Sequence, residues 1–258
     1  MTPASPSGPA ANPAAAPQRR EWRRLLAAVA TAALLWFYMF SPWTAGRPNF
    51  WLVMAVSATI LTTLALCFLR PDNPGRKNAG KCAREGDSFA GVRNDRMGAS
   101  GTVAGQIALG VVIAFALWGI FWIGDKVSSW MFGFARPEVN AVYAMKEGLP
   151  PWLIGLLLLL LIGPAEEFFW RGYVQRTLGR LLAARQQDES RARTVAFLLT
   201  LAVYTLIHIW SGNFMLVMAA LVAGAVWGLL YRLRPQLLPA LIISHALWDA
   251  LVFVILPI

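Results

Sequence analysis

Charged and titratable side chains interrupt apolar runs in the C-terminal half of this sequence, where lipid-facing residues are expected. Six of them lie close together along the chain: Glu166, Glu167, Arg171, His208, His245 and Asp249. The two histidines are the only ones in the chain. A charge at the bilayer centre costs roughly 2.5–3.5 kcal/mol or more, so such groups are rare unless they have a function. Carboxylates and imidazoles together can transfer protons or bind a metal ion, so the group indicates a functional site.

The two adjacent glutamates differ in their local partners. Successive residues of a helix are about 100° apart, so Glu166 and Glu167 cannot share a face. Glu167 precedes Arg171 by four residues, which is the spacing and order that favour an ion pair. Glu166 is then the carboxylate without a local partner, and we expect it to be the general base or acid.

Each histidine has a polar neighbour one helical turn away. Tyr204 precedes His208 by four residues, and Asp249 follows His245 by four. Asp249 can accept the imidazole N–H of His245 and thereby fix its tautomer. Alternatively, a protonated Asp249 can donate a hydrogen bond to a developing oxyanion.

The composition is that of a polytopic membrane protein. The chain is 57% hydrophobic and 14% charged, and its mean hydropathy is +0.53. Segments of roughly 20 apolar residues can span a bilayer as helices. Seven segments approach that length: residues 25–43, 50–69, 102–124, 152–173, 194–210, 214–231 and 237–256. The helical pattern of the fourth can continue as far as Leu182, into an amphipathic segment over residues 176–185. We therefore predict an all-α membrane bundle of about seven transmembrane helices.

Basic residues are concentrated in alternate connections between these segments. Those connections are the region before the first span, residues 70–96 with seven Lys and Arg, the connection between the fourth and fifth spans, and the one after the sixth. The other connections hold only Arg47, Lys126, Arg136 and Lys146. Cytoplasmic loops collect Lys and Arg, so we predict a cytoplasmic N-terminus. The same pattern accounts for the net charge of +10, and we expect no nucleic-acid partner.

The chain divides into three predicted regions. Residues 1–18 are rich in Pro and Ala and lack the apolar side chains needed to fold, so we expect a disordered tail. Residues 19–149 form a three-helix membrane region with a basic cytoplasmic loop, and residues 150–258 a catalytic membrane domain. Cys67 and Cys82 are not expected to form a disulfide. Gly224 and Gly228 form a G-x-x-x-G motif, which we expect to serve packing within the chain.

The motifs of the third region resemble a known signature. They are Glu-Glu-x-x-x-Arg at 166–171, an aromatic residue followed four positions later by His at 204–208, and His-x-x-x-Asp at 245–249. In this order they are similar to the three motifs of the CPBP family. These are the CAAX-protease and bacteriocin-processing membrane proteins, also called Abi proteins, which include the type II CAAX prenyl endopeptidase. The resemblance covers residues 150–258, and the first three spans carry no motif.

The resemblance implies an intramembrane endopeptidase. On its pattern Glu166 and His208 activate the attacking water, while Glu167 and Arg171 shape the site.

His245 and Asp249 would stabilise the tetrahedral oxyanion on the same pattern. The sequence departs from it twice, because Tyr204 replaces the usual phenylalanine and Asp249 stands where asparagine is common. An ionised aspartate cannot donate to an oxyanion, so the second departure bears on the mechanism.

A zinc site is an alternative arrangement of the same residues. Glu166, His208 and His245 are a candidate ligand set for Zn²⁺, because three such ligands leave a fourth position for water. The sequence contains no H-E-x-x-H, in which one helix supplies two ligands and the base. Proteins of the family are described both as metalloproteases and as metal-independent glutamate enzymes. We favour the metal-independent mechanism.

Two other functions fit parts of the pattern. A proton-coupled transporter also uses Glu and His relays in the membrane, but transporters often contain internal repeats and none is found here. A non-proteolytic relative could act as a scaffold or in self-immunity. As partners we expect membrane lipids and a peptide or protein substrate, prenylated or C-terminally anchored substrates being candidates. The Ala- and Arg-rich composition favours the bacterial inner (plasma) membrane.

The predicted spans place two of the catalytic residues at different depths. Glu166 lies roughly 21 Å from one end of its span at about 1.5 Å per residue, whereas His208 lies a few residues from the corresponding end of its own. A kink at Pro164, a deeper fifth span or a water-filled cavity would each bring the two side chains together.

Overall fold

The structure is a computed structural model that describes residues 15–44, 49–69, 101–185 and 188–258. Within these ranges every regular element is a helix, and seven helices are long and apolar enough to cross a membrane, as predicted. They are α1 (Ala15–Phe40), α2 (Phe50–Leu69), α3 (Val103–Met131), α5 (Pro151–Ala183), α6 (Glu189–Leu206), α7 (Phe214–Leu233) and α8 (Pro235–Ile255). A short helix, α4 (Ala135–Ala144), lies between α3 and α5.

Several helices extend beyond the predicted spans. α1 begins at Ala15, so residues 15–18 of the predicted tail are helical, and α3 continues to Met131, seven residues beyond the predicted end. α5 continues to Ala183, as its pattern allowed. Hydropathy detects only the apolar part of a helix, whereas backbone hydrogen bonds continue through polar residues. The remainder of the tail and residues 70–100, with the basic loop and Cys82, lie outside the described residues.

α5, which carries the Glu-Glu motif, departs from regular α-helical geometry on both sides of it. π-helical turns at Leu158–Ile162 and Phe168–Gln175 flank the α-helical turn Gly163–Glu167. Pro164 contributes to the irregularity, because it has no backbone N–H to donate to the preceding turn. Such π turns are rare and are frequent at functional sites. They set the directions in which the two glutamates leave the helix.

Close contacts between helices depend on small residues. A Cβ added to Gly163 would lie 2.6 Å from Cα of Ala246, so α5 and α8 approach closely at this point. A Cβ on Gly224 would lie 2.8 Å from Cδ1 of Tyr204, and one on Gly228 would lie 3.0 Å from the ring of Phe197. The G-x-x-x-G motif of α7 therefore serves packing against α6 within the chain, as expected.

Buried side chains form two large clusters on either side of the polar residues. The first joins α1, α2, α5 and α6 and includes Trp36, Leu61 and Phe169. The second joins α3, α7 and α8 and includes Leu117 and Trp227. Tight packing of this kind, rather than exclusion of water, drives association of helices in lipid. The candidate site lies where helices of the two clusters meet.

The short helix α4 covers the turn between α6 and α7. The amide Nδ2 of Asn213 in this turn donates to the carbonyl oxygen of Glu138 in α4 (2.8 Å). The Glu138 carboxylate in turn accepts the backbone N–H of Met215 (2.8 Å), at the beginning of α7. At this end of α6, Tyr204, Ile207 and His208 are buried, whereas Leu206 is exposed.

The C-terminal half of α4 is also tied to the end of the chain. The Tyr143 hydroxyl donates to the carbonyl oxygen of Val252 (3.0 Å) and accepts the backbone N–H of Ile258 (2.9 Å). Burial raises the pKa of the Tyr143 hydroxyl, which therefore stays protonated and able to donate at neutral pH.

Candidate active site

A cavity of about 430 Å³ brings five of the predicted site residues together. They are Glu166 from α5, Tyr204 and His208 from α6 and the turn after it, and His245 and Asp249 from α8. All five side chains are buried. The rest of the wall is mainly apolar and aromatic. The cavity thus places a few polar groups in a largely dry environment, the usual character of a small-molecule or catalytic site.

The cavity also accounts for the different depths expected for Glu166 and His208. His208 follows the last turn of α6, which α4 covers, and Glu166 lies in the middle of α5 between two π-helical turns. Of the three ways in which the residues could meet, the structure contains a cavity that reaches both side chains and an irregular α5.

Glu166 points into the cavity and has no protein partner there. It is 5% exposed and forms no hydrogen bond or ion pair with any residue that the structure describes. Glu167, the next residue, does not line the cavity. The separation of the two carboxylates follows from helical geometry, as expected from the sequence. The oxygens of Glu166 are therefore available to a water molecule or a substrate.

Glu167 and Arg171 form a fully buried ion pair behind the wall of the cavity. Nη1 of Arg171 donates to Oε2 of Glu167 (3.0 Å), as their spacing predicts, and Nη2 donates to the carbonyl oxygen of Gly224 in α7 (3.0 Å). Glu167 is 0% and Arg171 2% exposed. The pair therefore joins α5 to α7 and holds the carboxylate of Glu167 in one position.

Glu167 also orients His245. Nδ1 of His245 lies 3.0 Å from the same Oε2 of Glu167 that accepts from Arg171. A carboxylate bound to a guanidinium is an acceptor, so Nδ1 of His245 carries the proton. The imidazole ring stacks on Trp227, with 3.9 Å between ring centroids and 17° between planes. The contacts of His245 with Glu167 and Trp227 could not be predicted from the sequence, because each of them joins two different helices.

Asp249 lies one helical turn from His245, on the side of its other ring nitrogen. Its Oδ2 is 3.6 Å from Nε2 of His245, which is longer than a hydrogen bond but within ion-pair distance when the ring is protonated. The tautomer of His245 is instead fixed at Nδ1 by Glu167. The carboxyl group of Asp249 and Nε2 of His245 therefore stand side by side at the wall of the cavity.

Both ring nitrogens of His208 are engaged by the protein. Nδ1 lies 2.7 Å from the backbone oxygen of Tyr204, so it carries a proton and donates. Nε2 accepts the indole N–H of Trp36 (3.2 Å). Trp36 is fully buried in α1, outside the region of the recognised motifs, and lies 172 positions before His208. No feature of the sequence distinguishes it from the other apolar residues of α1.

The proposed zinc ligands are not arranged as a ligand set. Among the residues that the structure describes, no three His, Cys, Asp or Glu side chains are grouped so as to hold a metal ion. A histidine ligand must offer a free lone pair. The Nε2 lone pair of His208 already accepts a hydrogen bond from Trp36. Glu166, His208 and His245 therefore do not fit a metal ion in this arrangement.

One of three comparisons with known proteins found a match. No curated protein and no solved structure matches the chain. A family model does match over residues 148–251, and its description is "Type II CAAX prenyl endopeptidase Rce1-like". The matched segment runs from just before α5 to Leu251 in the last part of α8, and it contains all seven residues of the three motifs. Residues 148–251 of this chain therefore match the CAAX protease (CPBP) family.

Proposed function

We propose that this protein hydrolyses a peptide bond inside the cavity, with Glu166 as the general base. The family that residues 148–251 match is one of CAAX-type endopeptidases, which implies a protease with a peptide substrate in a membrane context. The observation that carries the proposal is the position of Glu166, a buried carboxylate that faces the cavity and has no partner among the described residues. Membranes from cells that carry the wild-type chain should contain cleavage products that disappear when Glu166 is replaced by glutamine.

The reaction begins with a water molecule between Glu166 and the scissile carbonyl group. The Glu166 carboxylate takes one proton from the water. At the same time the oxygen of the water bonds to the carbonyl carbon, which gives a tetrahedral oxyanion. Two neighbouring polar groups in the cavity wall can donate hydrogen bonds to this oxyanion. They are Nε2 of His245 and the carboxyl group of Asp249. When the intermediate collapses, the C–N bond breaks and protonated Glu166 returns its proton to the leaving amine.

The Glu167–Arg171 pair supports this step through His245. Because Nδ1 of His245 already carries the proton that it donates to Glu167, Nε2 can donate only when the ring is doubly protonated, as an imidazolium. The buried carboxylate of Glu167 lies against Nδ1 and stabilises that positive charge. Electrostatic stabilisation by preorganised groups in a dry site is usually the largest single contribution to catalysis.

We infer that His208 supports the cavity wall and does not remove the proton from the attacking water. A protonated Nε2 cannot accept the indole N–H of Trp36, so His208 can take a proton there only after this hydrogen bond is broken. Glu166 requires no such change. We therefore assign the proton transfer to Glu166 and the shaping of the cavity wall to His208 and Tyr204.

The wall of the cavity indicates the nature of the substrate. Aromatic and aliphatic side chains surround the polar groups, among them Phe40, Phe50, Met54, Phe121 and Phe253. Such a surface accepts apolar side chains or a lipid chain beside the scissile bond. Peptides that carry a prenyl group and proteins with a C-terminal anchor are both substrates of this kind.

Metal chelators are expected to leave the activity unchanged. The candidate zinc ligands all line the cavity but are not arranged so as to hold a metal ion, and the lone pair of His208 Nε2 accepts a hydrogen bond from Trp36. Cleavage by the purified protein should be measured before and after treatment with EDTA and 1,10-phenanthroline, with a known zinc protease as the control. A loss of activity that added Zn²⁺ restores would contradict the metal-independent mechanism.

Replacing Asp249 by asparagine is expected to retain or increase activity at neutral pH. Glu167 already fixes the tautomer of His245, so Asp249 is not required as an acceptor. If Asp249 donates to the oxyanion, an asparagine amide supplies a donor at the same place. Removing a residue that only orients a catalytic group typically lowers the activity by about 10–100-fold. The kcat of Asp249→Asn, measured across a range of pH, distinguishes the two roles, and a variant inactive at every pH would exclude the donor role.

A further inference from the structure

The helix bundle has two ends of different charge. One of them, here called the basic end, is formed by the beginnings of α1 and α6 and the ends of α5 and α7. Contacts between these segments define it: Arg180 binds Glu21 (3.2 Å), and Arg232 donates to Oγ1 of Thr194 (2.7 Å). The opposite end, here called the cavity end, is formed by the ends of α1, α3, α6 and α8, the beginnings of α2, α5 and α7, and α4.

Arginines are concentrated at the basic end. The described residues there include eleven of them: Arg19, Arg20, Arg23, Arg24, Arg176, Arg180, Arg185, Arg191, Arg193, Arg232 and Arg234. Only three acidic residues accompany them: Glu21, Asp188 and Glu189. At the cavity end the described charges balance: Lys126, Arg136 and Lys146 against Asp125, Glu138 and Glu147. The excess of positive charge on one side marks that side as cytoplasmic.

The cavity opens at the end that lacks this positive excess. Its rim includes Gly124 and Phe132 near the end of α3 and Phe214 at the beginning of α7, all of them exposed (Phe132 42%, Phe214 52%). Its floor includes Glu166 and His245, which are 5% and 3% exposed. Exposure therefore increases from the polar residues towards the cavity end.

The rim lies at the level of a membrane–water interface. Exposed aromatic side chains occur at the same end of the helices, as is typical of interfacial belts, and they include Trp43, Trp130, Phe134, Trp152 and Trp210. Charged groups stand at the same end of α3, where the buried carboxylate of Asp125 binds Arg136 (2.7 Å) and Lys126 (3.3 Å). Asp125 itself lines the cavity. Aromatic and charged side chains together at this end are what is expected where water and lipid meet.

We infer that the cavity receives its substrate from the extracytoplasmic side of the membrane. The substrates are then membrane-anchored proteins whose scissile bond lies in the segment next to the anchor on that side. This inference rests on the proposed function for the cleavage step, but the side of access follows from charge and cavity position alone. A cytosolic protein that carries a lipid at its C-terminus would approach the opposite, basic end.

The depth of the cavity floor determines how far the scissile bond of the substrate must lie from the membrane interface. Gly155 of α5 packs against Val254 near the end of α8, and Glu166 lies eleven residues further along α5. That is about 16 Å at 1.5 Å per residue, a depth that an extended peptide covers in roughly five residues at about 3.3 Å each. The scissile bond is therefore expected within about five to ten residues of the interface, in a segment that can unfold.

Orientation is tested with two matched cysteine variants in a Cys67→Ser/Cys82→Ser background. Ser129→Cys places an exposed thiol in the last turn of α3, at the cavity end, and Ser190→Cys places one in the first turn of α6, at the basic end. In intact spheroplasts, a membrane-impermeant maleimide should modify Ser129→Cys but not Ser190→Cys. After permeabilisation both should react. Modification of Ser190→Cys in intact spheroplasts would overturn the inference, whatever the activity of the protein.

Substrate class is tested by mapping new N-termini in cells that express wild-type or Glu166→Gln protein. Cleavage sites that depend on Glu166 should fall in extracytoplasmic segments next to the membrane anchors of other proteins. Sites confined to cytosolic proteins or cytosolic C-termini would overturn the inference and leave the proposed protease function standing. If the labelling gives the expected orientation but no cleavage depends on Glu166, the proposed function fails and the substrate class with it, whereas the orientation stands.

Discussion

Replacing Glu166 with glutamine is expected to abolish peptide-bond hydrolysis while leaving the fold intact. The amide of glutamine cannot take a proton from water, and a positioned general base contributes about 10²–10⁴-fold to the rate. Glutamine has nearly the same size and shape as glutamate. Glu166 forms no hydrogen bond or ion pair with the described residues, so the substitution breaks no contact that holds the helices together.

The measurement is kcat of the purified protein, together with its thermal unfolding. Glu147→Gln is the matched control, because it makes the same change at an exposed residue away from the cavity. That variant should cleave at the wild-type rate. If Glu166→Gln also cleaves at the wild-type rate, Glu166 is not the base. If it unfolds at a much lower temperature, the assumption that the carboxylate is structurally unimportant is wrong.

Replacing Glu167 with glutamine is expected to destabilise the protein severely. Glu167 is the common acceptor for Arg171 and His245, and all three side chains are buried. Removing one partner of a buried ion pair typically costs about 3–5 kcal/mol, because the other charge is left without compensation. We expect a lower yield in the membrane and a large decrease in the free energy of unfolding, measured by denaturation in detergent.

The chain contains a matched control for this substitution. Glu189 and Arg193 have the same four-residue spacing in α6, but they lie in a solvent-accessible position. Glu189→Gln should therefore change stability by no more than about 1 kcal/mol, the range of exposed pairs. Replacing Arg171 by methionine in the Glu167→Gln background should recover part of the loss, because the unpaired buried charge is removed. Equal effects of Glu167→Gln and Glu189→Gln would contradict the role assigned to the buried pair.

Local properties of the chain were sufficient to predict several features. The seven membrane helices follow from runs of apolar side chains, which are visible in any window of about 20 residues. The Glu167–Arg171 pair follows from four-residue spacing on a helix, and the packing role of Gly224 from the absence of a side chain. The family follows from three short motifs in order. Each of these depends on neighbours in sequence or on residue type alone.

Other features depend on which helix faces meet and were not predictable in this way. The contact between Glu167 and His245 joins residues 78 positions apart, and that between Trp36 and His208 joins residues 172 apart. Nothing local distinguishes Trp36 from the other aromatic residues of the chain. α4 was missed because it is short and only partly apolar.

The sequence therefore determined the class of protein, the number of spans and the residues able to do chemistry. The tertiary structure decided which of those residues work together. In the structure His245 is oriented by a hydrogen bond to Glu167 rather than to Asp249. Nε2 of His208 accepts a hydrogen bond from Trp36 of α1, and Glu166 faces the cavity. The physical reason is that side-chain partners across helices are selected by packing, which small residues and π-helical turns set at particular points.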